Sequence, residues 1–201
     1  MFRFLALGDS YTIGEGVEQK DSWPFQLKLI LDQGHATGTD VQVIAQTGWT
    51  AEELLQAIEV EGIEHRFDLV TLQIGVNDQY RAYPLARFHS AYEKLLERAI
   101  HFADGQPRKV MAVSIPDWSV TPFAQGRNCV KISGEIDAFN QRAKDSAMSQ
   151  GLTWINVTEQ SRSLKDQVDM LVADALHPSA LQYAKWVEII SSEILGRTRP
   201  E

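Results

Sequence analysis

Residues 2–10 are FRFLALGDS, an apolar run that leads directly into Gly8, Asp9 and Ser10. A short apolar run that ends in a turn signal is typical of a buried strand. We therefore predict a first strand over 2–7, with the Ser10 hydroxyl delivered at its carboxyl end.

Further strand-like segments alternate with helical patterns along the chain. We predict strands at 2–7, 41–45, 68–74, 110–115 and 152–157, and helices at 23–31, 51–61, 85–102, 132–147 and 181–194. Thr50 and Glu53 form a capping-box pattern at the start of the second of these helices. Such alternation predicts a parallel sheet with helices on both faces. The expected fold class is α/β, a three-layer α/β/α sandwich around five parallel strands, in one domain over 1–201.

Polar groups follow the first three predicted strands. Ser10 follows the first strand, Gly48 the second and Asn77 the third. In parallel sheets ligands bind outside the carboxyl ends of the strands. We therefore expect these three residues to meet at one edge of the sheet, although they are far apart in the sequence.

An acid and a histidine near the other end of the chain complete a nucleophilic site. Asp174 lies three residues before His177, which precedes Pro178. A serine hydroxyl needs a base to take its proton, and a carboxylate can orient an imidazole for that task. Because a residue before proline is disfavoured in a helix, His177 should lie on a loop at the start of the last helix. We predict Ser10 as nucleophile, His177 as base and Asp174 as the orienting acid.

Attack by serine places negative charge on the substrate oxygen, which needs donors already aimed at it. The Asn77 side chain supplies an amide at a strand end. Gly48 supplies a backbone N–H with no Cβ in the way, and Ser10 supplies its own N–H. Amide donors of this kind do not titrate.

These residues occur in four blocks whose order matches a known family. Gly8-Asp9-Ser10, Gly48, Gly75-x-Asn77-Asp78 and Asp174-x-x-His177 resemble the blocks of the SGNH hydrolases, also called GDSL esterases/lipases. The resemblance implies a flavodoxin-like sheet, hydrolysis of esters or thioesters through an acyl-serine, and an oxyanion hole formed by Ser10, Gly48 and Asn77. Tyr11 stands where that family usually has leucine.

Each residue also has an ordinary structural interpretation. Ser10 alone would be a turn residue at a strand end, and Asp174 a helix-capping acid. The pair Asn77-Asp78 favours a turn. We expect Asp9 and Asp78 to bond loop backbone rather than to take part in chemistry.

Aromatic residues lie in or near the predicted loops around this site. The candidates for lining an acyl or sugar pocket are Trp23, Trp49, Tyr80, Trp118 and Phe123, with Trp49, Tyr80 and Trp118 preferred. The alternative is that they belong to the core. Histidines and acids lack the spacing of metal sites, and no glycine-rich nucleotide motif is complete. We expect no metal and no cofactor.

Composition limits the class of partner. The chain has 201 residues with a net charge of -8, which argues against nucleic acid or an anionic membrane surface as the main partner. No apolar run is long enough to insert in a membrane, and no secretory signal is visible. Cys129 is the only cysteine. We expect a cytoplasmic protein that acts on a small-molecule ester.

Three functions are compatible with these features. The first is a serine esterase. The second uses the same site for acyl transfer or for carbohydrate deacetylation. The third is a non-catalytic binding module on the same fold. The sequence indicates neither the acyl chain length nor the oligomeric state.

Overall fold

A five-stranded, all-parallel sheet forms the centre of the protein in a computed structural model that describes residues 1–164 and 167–197. The strands lie in the order β2-β1-β3-β4-β5. Their bounds are β1 Phe2–Gly8, β2 Thr39–Ala45, β3 Leu69–Gln73, β4 Val110–Val113 and β5 Thr153–Ile155. This is the strand order of flavodoxin-like sheets, so the predicted fold class is confirmed.

Eight α-helices accompany the sheet within the described residues. The long helices are α2 (Trp23–Gly34), α3 (Ala51–Glu61), α5 (Leu85–Phe102), α6 (Cys129–Ser149) and α8 (Ala180–Arg197), and the short ones are α1 (Ser10–Ile13), α4 (Val76–Tyr80) and α7 (Thr158–Ser163). All five predicted helices are present. The three short helices follow strand ends and were not predicted.

Helices cover both faces of the sheet. The connection from β1 to β2 crosses the sheet in the opposite direction to those that lead from β2 to β5. Right-handed crossovers therefore place α2 on one face and α3, α5 and α6 on the other. Accordingly, α2 packs against α8, while α5 packs against both α3 and α6.

The core lies on both sides of the central strands. Every residue of β3 and β4 is buried, as expected for strands that are covered on both faces. The largest fully buried side chains include Trp23, Tyr92 and Trp186, which fill the space between the sheet and the helices. Trp23 is therefore a core residue.

Local signals explain where some elements begin. The Glu53 N–H donates to the Thr50 hydroxyl, and the Thr50 N–H donates to the Glu53 carboxylate over 2.8 Å. This capping box starts α3 at Ala51, as predicted. Between β4 and α6 the chain contains two 3₁₀ turns, Trp118–Val120 and Pro122–Ala124.

None of the helices in the described part of the chain combines the length and the apolar character needed to cross a bilayer.

Candidate active site

The Ser10 hydroxyl lies at a sharp turn from β1 into α1. Asp9 caps α1, and its carboxylate accepts the Tyr11 N–H over 3.0 Å. A Cβ on Gly8 would lie 2.0 Å from the Thr12 hydroxyl oxygen and 2.7 Å from the Gln73 carbonyl oxygen. Only glycine fits at position 8, and the turn that presents Ser10 depends on it.

His177 lies directly against this serine. Its Nε2 is 3.0 Å from Ser10 Oγ, although 167 positions separate the two residues. His177 lies on a loop before α8, and its carbonyl accepts the Val172 N–H over 2.9 Å. The Tyr11 ring packs against the imidazole with centroids 5.6 Å apart. The predicted loop position of His177 is confirmed.

Asp174 holds the other side of the imidazole. Its Oδ2 is 2.6 Å from His177 Nδ1, and its Oδ1 accepts the N–H groups of Leu176 and His177, each over 2.9 Å. Ala175 takes a left-handed conformation, φ 60, to close this turn. Burial by itself raises the pKa of Asp174, but the hydrogen bonds from the His177 ring and from the two N–H groups outweigh burial and lower that pKa. The carboxylate therefore stays ionised beside the imidazole.

The loop after β2 and the helix α4 bring the predicted donors to the same place. Gly48 lies on the loop after β2 with φ 87, in the left-handed region that favours glycine. Asn77 lies in α4, after β3, and its side-chain amide donates to the Trp49 carbonyl over 2.9 Å. Arg81 donates to the Gly48 carbonyl over 2.6 Å. These bonds fix the Gly48 loop against α4.

A cavity of about 200 Å³ opens at this edge of the sheet. Ser10, Gly48, Asn77 and His177 all line it, together with Tyr11, Thr47, Val76, Tyr80, Trp118, Phe123 and Leu176. The structure thus brings the predicted hydroxyl, base and donors to one space, with Asp174 behind the base.

The structure places the five aromatic candidates in two groups. Tyr80, Trp118 and Phe123 line the cavity, whereas Trp23 and Trp49 are not among its lining residues. Trp49 is half-buried and packs against the hydrophobic core, and only its carbonyl is tied to the site, through Asn77.

Tyr80, Trp118 and Phe123 form one side of the cavity, which we call the aromatic wall. Their ring centroids lie 5.5 to 6.4 Å apart. Trp118 Nε1 donates to the Gln79 side chain over 2.8 Å. The Phe123 N–H donates to the Ala175 carbonyl over 3.2 Å, so the wall is joined to the loop that carries Asp174 and His177.

Two carboxyl groups are buried behind the site. Burial raises the pKa of Asp9 to about 7, and the nearby Asp78 charge adds to that effect. Burial likewise raises the pKa of Asp78 to about 6. Asp78 accepts the Ala51 N–H over 2.9 Å, so each acid bonds a backbone N–H at the start of a helix, α1 for Asp9 and α3 for Asp78, where loop backbone was expected. One oxygen of each, Asp9 Oδ2 and Asp78 Oδ1, has no hydrogen-bond partner among the described residues.

Sequence reasoning missed Arg81 and Arg127, the second of which lies over the aromatic wall. No local pattern marks them, because their contacts lie far along the chain or depend on how a loop is folded. In residues 1–164 and 167–197, histidine, cysteine and acidic side chains form no group of three that would suit a metal ion.

Comparison with known proteins places this site in context. The model of the GDSL-like lipase/acylhydrolase family matches residues 6–185. No curated protein sequence matches the chain.

Solved structures share the fold over nearly their whole length. The structure of TesA is 20% identical, with 96% of this chain and 97% of that chain covered and a TM-score of 0.73. A lipase/acylhydrolase from Enterococcus faecalis is 22% identical, with coverage of 100% and 99% and a TM-score of 0.71. Axe2, an acetylxylan esterase from Geobacillus stearothermophilus, is 18% identical, with coverage of 96% and 94% and a TM-score of 0.75. At these identities the likeness establishes the fold.

Proposed function

The chain belongs to the GDSL-like lipase/acylhydrolase family, and from that premise we propose that it is a serine esterase whose nucleophile is Ser10. The observation that carries this proposal is the continuous hydrogen-bonded series from Asp174 through His177 to Ser10. The series ends at a cavity large enough for a substrate.

Acylation begins when Ser10 Oγ attacks the ester carbonyl carbon while His177 Nε2 accepts the hydroxyl proton. The Asp174 carboxylate stabilises the imidazolium that forms and keeps Nδ1 protonated. The oxyanion is held by the N–H groups of Ser10 and Gly48 and by the Asn77 amide. The tetrahedral intermediate then breaks its bond to the alcohol, which leaves with the proton from Nε2.

Deacylation repeats these steps with water. His177 Nε2 accepts a proton from a water molecule as its oxygen attacks the acyl-serine carbonyl. The second tetrahedral intermediate releases the carboxylic acid, and the proton returns to Ser10 Oγ. The same three donors serve both steps.

The size of the cavity supports a short acyl group. A protein cavity of about 150 Å³ holds a molecule the size of benzene. The cavity at Ser10 has about 200 Å³ and is lined mainly by apolar side chains. We expect kcat/KM to be highest for acyl chains of about two to four carbons in a series of p-nitrophenyl esters extending to about sixteen carbons.

Carbohydrate deacetylation is a second candidate. The aromatic wall offers flat apolar surfaces beside the nucleophile, a type of lining common in ligand sites. Axe2, which shares the fold, is an acetylxylan esterase. Release of acetate from acetylated sugars with a kcat/KM above that for p-nitrophenyl acetate would favour this substrate class.

The decisive test compares Ser10→Ala with Ser192→Ala, a serine on the exposed face of α8. We expect Ser10→Ala to lower p-nitrophenyl acetate turnover by roughly 10³-fold or more, and Ser192→Ala to leave it unchanged. A fluorophosphonate probe should label Ser10 in the wild-type protein. Normal turnover by Ser10→Ala would refute the proposal.

Two further outcomes identify the other functions. Absence of fluorophosphonate labelling and of turnover would indicate a binding module. Capture of the acyl group by an added alcohol or sugar in preference to water would indicate an acyltransferase.

A further inference from the structure

An arginine lies over the aromatic wall. The guanidinium carbon of Arg127 is 5.1 Å from the ring centroid of Phe123 and 5.6 Å from those of Tyr80 and Trp118. Arg127 is exposed, and it follows the 3₁₀ turn Pro122–Ala124. The cation therefore lies against the three rings of the aromatic wall, although Arg127 itself is not among the residues that line the cavity.

Arg127 differs from the other arginines near the site. Arg81 is paired with Glu53, Arg87 with Glu52, and Arg162 with Asp117. Within the described ranges, Arg127 is in no ion pair and donates no side-chain hydrogen bond. A guanidinium at these distances from the rings keeps its N–H donors available for a ligand. Arg127 thus offers an unneutralised cation beside the aromatic wall.

Arg127 is a local positive charge on an acidic protein. The chain carries a net charge of -8, which repels anions in general. Thr47, which also lines the cavity, contacts the Glu15 carboxylate. An anionic substrate would therefore be favoured only if its own charged group lies beside Arg127, beyond the aromatic wall. A neutral substrate would gain nothing from this cation.

We propose that Arg127 determines specificity by binding a carboxylate or phosphate group of the ester substrate, while the adjoining part of that substrate packs on the aromatic wall. This inference rests on the proposed esterase function. The guanidinium fork matches both kinds of oxyanion.

Matched ester pairs test the proposal on either side of the scissile bond. For the acyl side, mono-4-nitrophenyl terephthalate is compared with its neutral methyl ester. For the alcohol side, 4-acetoxybenzoate and 4-acetoxyphenyl phosphate are compared with methyl 4-acetoxybenzoate. Comparing the carboxylate ester with the phosphate ester shows which anion is preferred.

The measured quantity is the ratio of kcat/KM for the anionic ester to kcat/KM for its neutral partner. Arg127→Met keeps an apolar stem over the rings but removes the charge. We expect it to lower the ratio roughly tenfold for at least one pair, mainly through KM, with an effect that shrinks in about 1 M salt. Arg127→Lys should retain part of the preference. Arg142→Met, the same charge change at an exposed position of α6, is the control and should leave the ratio unchanged.

A ratio that is the same in Arg127→Met and in the wild type for every pair would overturn the inference. So would an equal loss for anionic and neutral esters, because that result indicates a structural role. Neither result affects the esterase proposal, which depends on whether Ser10→Ala loses turnover of the neutral esters.

Discussion

The side-chain amide of Asn77 donates a hydrogen bond to the backbone carbonyl of Trp49 over 2.9 Å. This bond uses one of the two amide hydrogens and fixes the plane of the amide, and Asn77 also lines the cavity. Because Trp49 directly follows Gly48, the same bond holds the loop that carries the Gly48 N–H. One hydrogen bond therefore positions two of the three proposed oxyanion donors, the Asn77 amide and the Gly48 N–H.

Replacing Asn77 by alanine should remove both the donor and the tie to Trp49. We expect kcat for p-nitrophenyl acetate to fall roughly 10²- to 10³-fold with little change in KM, because the donor acts on charge that develops in the transition state. Steady-state kinetics measures this directly. A loss smaller than about tenfold would exclude Asn77 from the oxyanion hole.

Arg81 is expected to act as a positioning residue through the Gly48 carbonyl. Without that bond the Gly48 N–H loses its fixed direction, so Arg81→Met should lower kcat about tenfold while KM stays nearly constant. Arg81→Lys should restore part of the loss.

Arg87→Met is the matched control for Arg81→Met, since Arg87 pairs with Glu52 and packs on Tyr83 without touching Gly48. Equal losses of activity in the two variants, in step with lowered thermal stability, would contradict the positioning role.

Asp174→Asn tests the orienting carboxylate. An asparagine Oδ1 can still accept the N–H groups of Leu176 and His177, so the turn should survive. Its amide would, however, face His177 Nδ1 as a donor and favour the wrong tautomer. We expect kcat to fall roughly 10- to 10³-fold, less than for a fully buried acid, because this carboxylate is partly exposed. If kcat is unchanged, Asp174 only stabilises the turn and does not orient His177.

The buried Asp9 should make stability depend on pH. Burial raises its pKa to about 7, above its ordinary value of 3.8. Between these two values the folded chain binds more protons than the unfolded chain, so the free energy of unfolding should fall as pH rises through this window and level off above it.

Asp9→Asn removes this buried charge. Between about pH 4.5 and pH 8, the free energy of unfolding should fall further in the wild type than in Asp9→Asn, by roughly 1 to 4 kcal/mol. Urea denaturation at each pH measures both free energies. Asp40→Asn, at an exposed position of β2, should leave the fall unchanged. An identical pH dependence in Asp9→Asn and wild type would contradict the expectation.

Most of the fold could be predicted because its elements carry strong local signals. The capping box sets the start of α3, and the mainly apolar segments of β3 and β4 mark buried strands. The predicted strand over 152–157 is longer than β5, because Leu152 N–H bonds Ala147 and Val157 N–H bonds the Ser114 hydroxyl instead of the sheet. The short helices escaped prediction since four to six residues carry too little periodicity.

The site could be predicted only in part. Ser10, Asn77 and His177 carry recognisable blocks, and the structure brings them together. Arg81 contacts a carbonyl 33 positions away, and no local pattern encodes such a contact. Trp49 illustrates the converse, because position on a loop near the site does not determine whether a ring points to the cavity or to the core.

The 167 positions between Ser10 and His177 have a consequence for biosynthesis. The Ser10 hydroxyl leaves the ribosome 167 residues before the His177 imidazole, so a growing chain carries the proposed nucleophile before its proposed base. On the proposed function, the site stays inert towards surrounding esters until translation has passed the Asp174–His177 loop and α8 has packed against α2.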